Sequence, residues 1–130
     1  MPPETRSAPV LSLDSTELTA ADARFLAQTY AATHCPRLDR SAVALVVAEL
    51  LSNAERHTVG TWRLAIRHST RLLSIAVHDL GRLSPMPGTS ALDGTGHFGL
   101  HIIRRLSHHF AVHSDATGKT VTAQWNLALL

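Results

Sequence analysis

Six apolar residues, Val43, Val46, Val47, Leu50, Leu51 and Ala54, fall at i, i+3, i+4, i+7, i+8 and i+11 without a miss. That period belongs to an amphipathic α-helix and not to a strand. Asp39 stands just before it as an acceptable N-cap, and Thr58, Val59 and Gly60 end it. Around this helix the rest of the chain divides readily. Val10 to Leu13 suits a short edge strand. From Thr19 to about Thr33, Ala21, Phe25, Leu26 and Ala32 recur at roughly helical spacing, with Thr19 and Asp22 resembling a capping box and Pro36 closing the helix. Trp62 to His68 and Leu72 to His78 read as a hairpin across Ser69, Thr70 and Arg71.

Gly81, Pro85, Pro87, Gly88, Gly94 and Gly96 make residues 80 to 97 a loop, because they forbid a long helix or a central strand. A helix is expected from Phe98 to about His108, with Leu100, Ile103 and Leu106 on its apolar side. Two last strands, Phe110 to Ser114 and Thr120 to Leu129, are joined by the turn-forming Asp115-Ala-Thr-Gly118. The first nine residues hold three prolines and read as a flexible terminus, leaving 10–130 as one domain. The resulting order is β, α, α, β, β, loop, α, β, β.

Composition narrows the function. With 130 residues, 45% hydrophobic and 17% charged, the chain has the apolar content for one packed core. A net charge of +2 spread over scattered arginines and a single lysine, Lys119, is a weak footprint for nucleic acid, and no such partner is expected. Cys35 is the sole cysteine, so an intrachain disulfide and a multi-cysteine zinc cluster are excluded. The opening MPPETRSAPVLSL lacks the pattern of a secretory signal. The longest apolar run, Ala42 to Ala48, falls short of the roughly 20 residues of a membrane span. A cytoplasmic protein without a membrane partner is the expectation.

Glu49 and Asn53, four residues apart, meet on one flank of the apolar stripe, and His57 continues their row. Alone, such a pair is ordinary helix surface. Two other segments give it meaning. Asp79-Leu-Gly81 follows a strand, where a carboxylate accepts a hydrogen bond from an exocyclic amine and a glycine lets a ring approach the backbone. Gly94-Thr-Gly96-His-Phe-Gly99-Leu100 opens a helix, whose free amides and dipole favour anions. Although Gly94, Gly96 and Gly99 match the dinucleotide fingerprint, they follow a long loop late in the chain, which is not where a Rossmann fold carries it. Together the segments describe a nucleotide site.

These segments resemble the GHKL ATPase superfamily, and most closely its small stand-alone members, the bacterial anti-sigma-factor serine/threonine kinases and their actinobacterial relatives. Glu49-Leu-Leu-Ser-Asn53-Ala-Glu-Arg-His57 is similar to the N box, Asp79-Leu-Gly81 to the first glycine box, Gly96-His-Phe-Gly99-Leu100 to the second, and Gly118-Lys-Thr120 to the motif of the last hairpin. The resemblance implies a two-layer α/β sandwich whose mixed, mainly antiparallel sheet is covered on one face by helices. It implies ATP and Mg²⁺ as cofactors, Asn53 as the metal ligand, and Glu49 as the general base. Asp79, aided by Thr120, would read the adenine amino group. Gly96 and Gly99 would pack against phosphate, and residues 82 to 96 would form a lid. His57, Gly81, Gly94, His97, Phe98 and Leu100 complete the expected cofactor-binding set. Leu83 stands where the first glycine box usually has a second glycine, and the only basic residues near the lid are Arg82, Arg104 and Arg105.

By the same resemblance the partner is a sigma factor or an anti-anti-sigma-type protein, and the chain pairs with itself. Two functions follow: a kinase that phosphorylates such a partner, or a module that binds ATP only to regulate a partner by contact. Retention of both Glu49 and Asn53 favours the kinase. Nine histidines also raise a zinc hypothesis, centred on His97 and His101 at i and i+4, but no third ligand stands at fixed spacing.

Overall fold

The computed structural model describes residues 8–56, 61–79 and 95–130, the side chains of 95–99 excepted. Three helices, α1 (Ala20–His34), α2 (Arg40–Arg56) and α3 (Thr95–Leu106), pack on one face of a five-stranded sheet. Its strands are β1 (Leu11–Asp14), β2 (Trp62–His68), β3 (Leu72–Asp79), β4 (His109–Asp115) and β5 (Gly118–Asn126), in the order β1-β2-β3-β5-β4. Each described pairing is antiparallel. This is the two-layer α/β sandwich that the sequence implied. Of the expected segments, residues 1–7, 57–60 and 80–94 lie outside the described ones, and with them His57, Gly81 and Gly94.

Strand alternation builds the inner layer. Trp62, Leu64 and Ile66 of β2, Leu73, Ile75 and Val77 of β3, and Val121, Ala123 and Trp125 of β5 are all buried and line up across the sheet in register. Against them α2 sets all six residues of its stripe, each at most 4% exposed. Asp39 caps α2 as the sequence suggested, its Oδ1 accepting from the amides of Ser41 and Ala42 at 2.9 and 3.3 Å.

The inward side of α1 differs from expectation. Its capping box is present, with the Asp22 amide donating to Thr19 Oγ1 at 3.1 Å and the Thr19 amide to Asp22 Oδ2 at 3.3 Å. The buried row, however, is Ala23, Ala27 and Ala31, while Ala21, Phe25 and Leu26 face outward, Phe25 with 66% of its surface exposed. α1 packs against α2 through a seam of methyl groups. A larger residue there would push the helices apart, so the small alanines, and not the bulkier hydrophobes, mark the contact face.

Two boundaries also move. α3 begins at Thr95 and not at Phe98, which brings Gly96 and Gly99 inside the helix; Ile103 is its buried anchor, flanked by half-buried Leu100 and Leu106. β5 ends at Asn126, whose side chain accepts from the Ala128 amide at 3.0 Å and starts a 3₁₀ turn over Leu127–Leu129. A polar cap thus stops the strand that hydrophobicity alone extended to Leu129.

Candidate functional site

The end of the sheet where β3 finishes gathers the polar residues that the core otherwise excludes. Asp79 is the last residue of β3, and alternation from Leu73, Ile75 and Val77 turns it inward, where it is 4% exposed. A carboxylate so placed requires partners. One is the Lys119 amide, which donates to Asp79 Oδ1 at 3.3 Å. On the same row Trp62 lies opposite Asp79 in β2, and Lys119 opposite it in β5.

Gly118 explains how β5 comes so near. Its φ of +147° lies where residues with side chains are strained, and a Cβ there would collide with the backbone oxygen of Asp79 and lie 3.1 Å from Oδ1. Only glycine lets the hairpin close on the carboxylate. The turn before it is held by Asp115 Oδ1, which accepts from the amides of Thr117 and Gly118 at 2.8 and 3.2 Å.

The last turn of α2 reaches the same end. Trp62 Nε1 donates to Glu55 Oε2 at 3.2 Å, tying that turn to the start of β2 and so to the Asp79 row. Two residues before Glu55, Asn53 is 3% exposed, an amide carried into a face made otherwise of Val, Leu and Ala. Glu49, one turn earlier, is half-buried. Burial pushes the Lys119 ammonium below the usual lysine range; the Asp79 carboxylate opposes that, and Arg56, the last residue of α2, adds to it.

α3 is fixed at its C-terminal end. Its C-terminal Leu106 oxygen accepts from Trp125 Nε1 at 2.8 Å, at the far end of β5. Twelve helical residues span about 18 Å. The six strand steps from Trp125 back to Lys119 span about 20 Å. The helix is thus about as long as that stretch of β5, and the free amides of its first turn are of the kind that attract anions. Of the expected residues, Asn53 and Asp79 are buried on α2 and β3, Glu49 is half-buried one turn before Asn53, and Gly96, His97, Phe98 and Gly99 lie in the first turns of α3. Leu100, half-buried, packs against the core from the second turn of α3.

Thr120 stands elsewhere. It is paired with His78 on the face of the sheet away from the three described helices, its hydroxyl 2.7 Å from His78 Nδ1, with Thr117 Oγ1 3.2 Å from Nε2 of the same ring. The β5 residue on the side of Asp79 is Lys119. Thr120, the residue of the hairpin motif expected to aid Asp79, thus lies on the other side of the sheet from it. Counting by twos back from Trp125 through Ala123 and Val121 would have put position 119 inward and 120 outward.

A second cluster lies at the opposite end of β2. His68 Nδ1 is 2.8 Å from the Tyr30 hydroxyl and its Nε2 is 3.6 Å from Cys35 Sγ, while His34 stacks on Tyr30 with ring centroids 4.3 Å apart. Burial raises the Cys35 thiol and, with His34 assisting, lowers His68. Among the described residues no group of three or more His, Cys, Asp or Glu side chains is arranged to hold a metal ion. Nor is any helix among them long and apolar enough to cross a membrane.

Residues 13–125 match the family model for the histidine kinase-like ATPase domain, from within β1 to the penultimate residue of β5. No curated protein sequence matches the chain.

Proposed function

The chain belongs to the histidine kinase-like ATPase domain family, and from that premise we propose that it binds Mg²⁺-ATP at the Asn53 and Asp79 end of the sheet and transfers the γ-phosphoryl group to a serine or threonine of a partner protein. The observation that carries the reading is the burial of Asn53 and Asp79, at 3% and 4% exposure, on two elements that converge at one end of an otherwise apolar core. Neither residue helps a core on its own account, since burying an amide or a carboxylate costs stability unless partners compensate. A ligand that needs both is the simplest reason to keep them.

The donor set fits the ligand. An amide oxygen and a nearby carboxylate suit Mg²⁺, which prefers oxygen and usually takes only one or two protein ligands beside phosphate and water. Asn53 would hold the metal, and Glu49, one turn away and half-buried, would take the proton from the attacking hydroxyl. Asp79 would accept from the exocyclic amine of the base. The N-terminal amides of α3 would lie against the phosphates. Bound Mg²⁺-ATP would supply the phosphoryl group and the charge neutralisation that its transfer needs.

The partner we propose is of the sigma-factor or anti-anti-sigma type, on the strength of the resemblance noted from the sequence. Glu49 separates the kinase from a module that only binds. Asn53→Ala is expected to lose Mg²⁺-ATP binding in calorimetry. Glu49→Ala is expected to keep binding and lose transfer of labelled phosphate to the partner recovered from the native host. Unchanged affinity in the first variant would refute the site; retained transfer in the second would remove Glu49 as base.

A further inference from the structure

β4 ends the sheet on the side away from β1, and among the described residues nothing pairs with its outer edge. Alternate residues of an antiparallel strand aim their backbone groups away from the neighbour, so this edge offers N–H and C=O groups along a strand of about 24 Å. Native sheets usually blunt such an edge by shortness, a proline, a lysine or an inward-pointing charge. β1, the other edge, has only four residues. β4, His109-Phe-Ala-Val-His-Ser-Asp115, is longer and has no proline, no lysine and no charge on its inner side. There Val112 is 48% exposed, although Val121 opposite it in β5 is buried. We propose that a second copy of the chain covers this edge, β4 pairing antiparallel with β4 of the other copy about a two-fold axis at Val112, so that two five-stranded sheets become one.

The strand is complementary to itself in one register. A two-fold axis perpendicular to the sheet must pass through a residue that faces its own copy, because a slip by one would set inner side chains against outer ones. Centred on Val112, the whole strand pairs: Val112 with Val112, Ala111 with His113, Phe110 with Ser114, and His109 with Asp115 at both ends. Centring on Ala111 sets His109 against His113, and centring on His113 sets that ring against itself; either choice shortens the ladder. Only the Val112 register places an imidazole beside a carboxylate, with Cβ atoms about 4.5–5.5 Å apart. Asp115 suits that contact. The donors that hold its turn, the Thr117 amide and hydroxyl and the Gly118 amide, all end on Oδ1, and Oδ2 accepts from none of the described residues. At the axis the two valines cover the apolar surface that each copy alone exposes. β3 stands two strands in from the edge, so the pairing leaves Asp79 untouched and does not depend on the nucleotide reading.

The test is sedimentation equilibrium of the full chain, for wild type, Val112→Lys, Val112→Glu and an equal mixture of the two variants. Wild type should dimerise as its concentration rises. Each variant alone sets like charges face to face at the axis and should weaken the dimer roughly tenfold or more, whereas the mixture sets lysine against glutamate and should recover it. Only a residue that faces its own copy gives that recovery. Should a charge at 112 prevent folding, exposed His109 gives a second readout: His109→Asp, opposed to Asp115 at both ends, should weaken the dimer severalfold, and His109→Lys should keep it. A monomeric wild type, charged variants that dimerise as wild type does, or a mixture that stays monomeric would each overturn the proposal. Equal dimerisation of the two His109 variants would do the same. So would open-ended assembly, since that requires two different edges to meet, β4 of one copy against β1 of the next.

Discussion

Gly118→Ala probes the closest approach in the site, and its cost can be worked from two observations. The backbone at φ +147° lies in a region that side-chain-bearing residues avoid at about 1–3 kcal/mol. The new methyl would collide with the backbone oxygen of Asp79, which belongs to a central strand and has no rotamer to adopt. Relief requires β5 to move from β3, comparable to an overpacked core at about 1–3 kcal/mol. Against this, alanine restricts the unfolded chain and returns about 0.4–1 kcal/mol. The net loss is about 1–6 kcal/mol, centred near 3, a large part of the roughly 5–15 kcal/mol that holds a domain folded. For a chain of 130 residues this lowers the melting temperature by on the order of 10 °C. The same movement stretches the bond from the Lys119 amide to Asp79 Oδ1, so nucleotide affinity should fall by more than about tenfold. Differential scanning calorimetry and a Mg²⁺-ATP titration measure both. A melting temperature within about 2 °C of wild type, with unchanged affinity, would show that Gly118 does not set the β5 approach.

Three further outcomes follow from the packing. Ala27→Leu should destabilise by about 1–3 kcal/mol in urea titration, because Ala27 is fully buried in the α1–α2 seam, whereas Phe25→Ser should stay within about 0.5 kcal/mol. Since burial and His34 depress His68 from 6.5, its contribution is complete above that pH and lost as pH falls through the lower folded value; the urea midpoint should drop from pH 7.5 to 5.5, and His68→Gln should flatten the drop. Cys35, buried and with its thiol pushed up, should react with a thiol reagent only slowly in the native protein and at once in denaturant.

What the sequence revealed depended on the range of the signal. The start and the buried face of α2 were legible because its period and its Asp39 cap point the same way, while its expected end at Thr58, Val59 and Gly60 lies outside the described residues. The hairpins were legible from turn chemistry, and Asp115 does hold the last one as the tetrapeptide suggested. α1 was misread because Phe25 and Leu26 outweigh alanine on any hydrophobicity scale, yet close helix contact selects for small side chains. Asp79 was expected at a strand end, and it does end β3, buried. That Lys119 and not Thr120 shares the inner side with Asp79 is contained in strand parity, since successive residues of the hairpin motif face opposite ways. The Tyr30, Cys35 and His68 cluster joins residues 33 and 38 positions apart, a relation no local pattern encodes.

The central claim is that buried Asn53 and Asp79 belong to one Mg²⁺-dependent ATP site. It is tested most directly by titrating the wild-type chain with ATP, first with Mg²⁺ and then with the metal chelated. The account predicts saturable binding of one ATP per chain, weakened severalfold or more by chelation. No binding in either condition, or binding indifferent to both Mg²⁺ and the Asn53→Ala change, would contradict it.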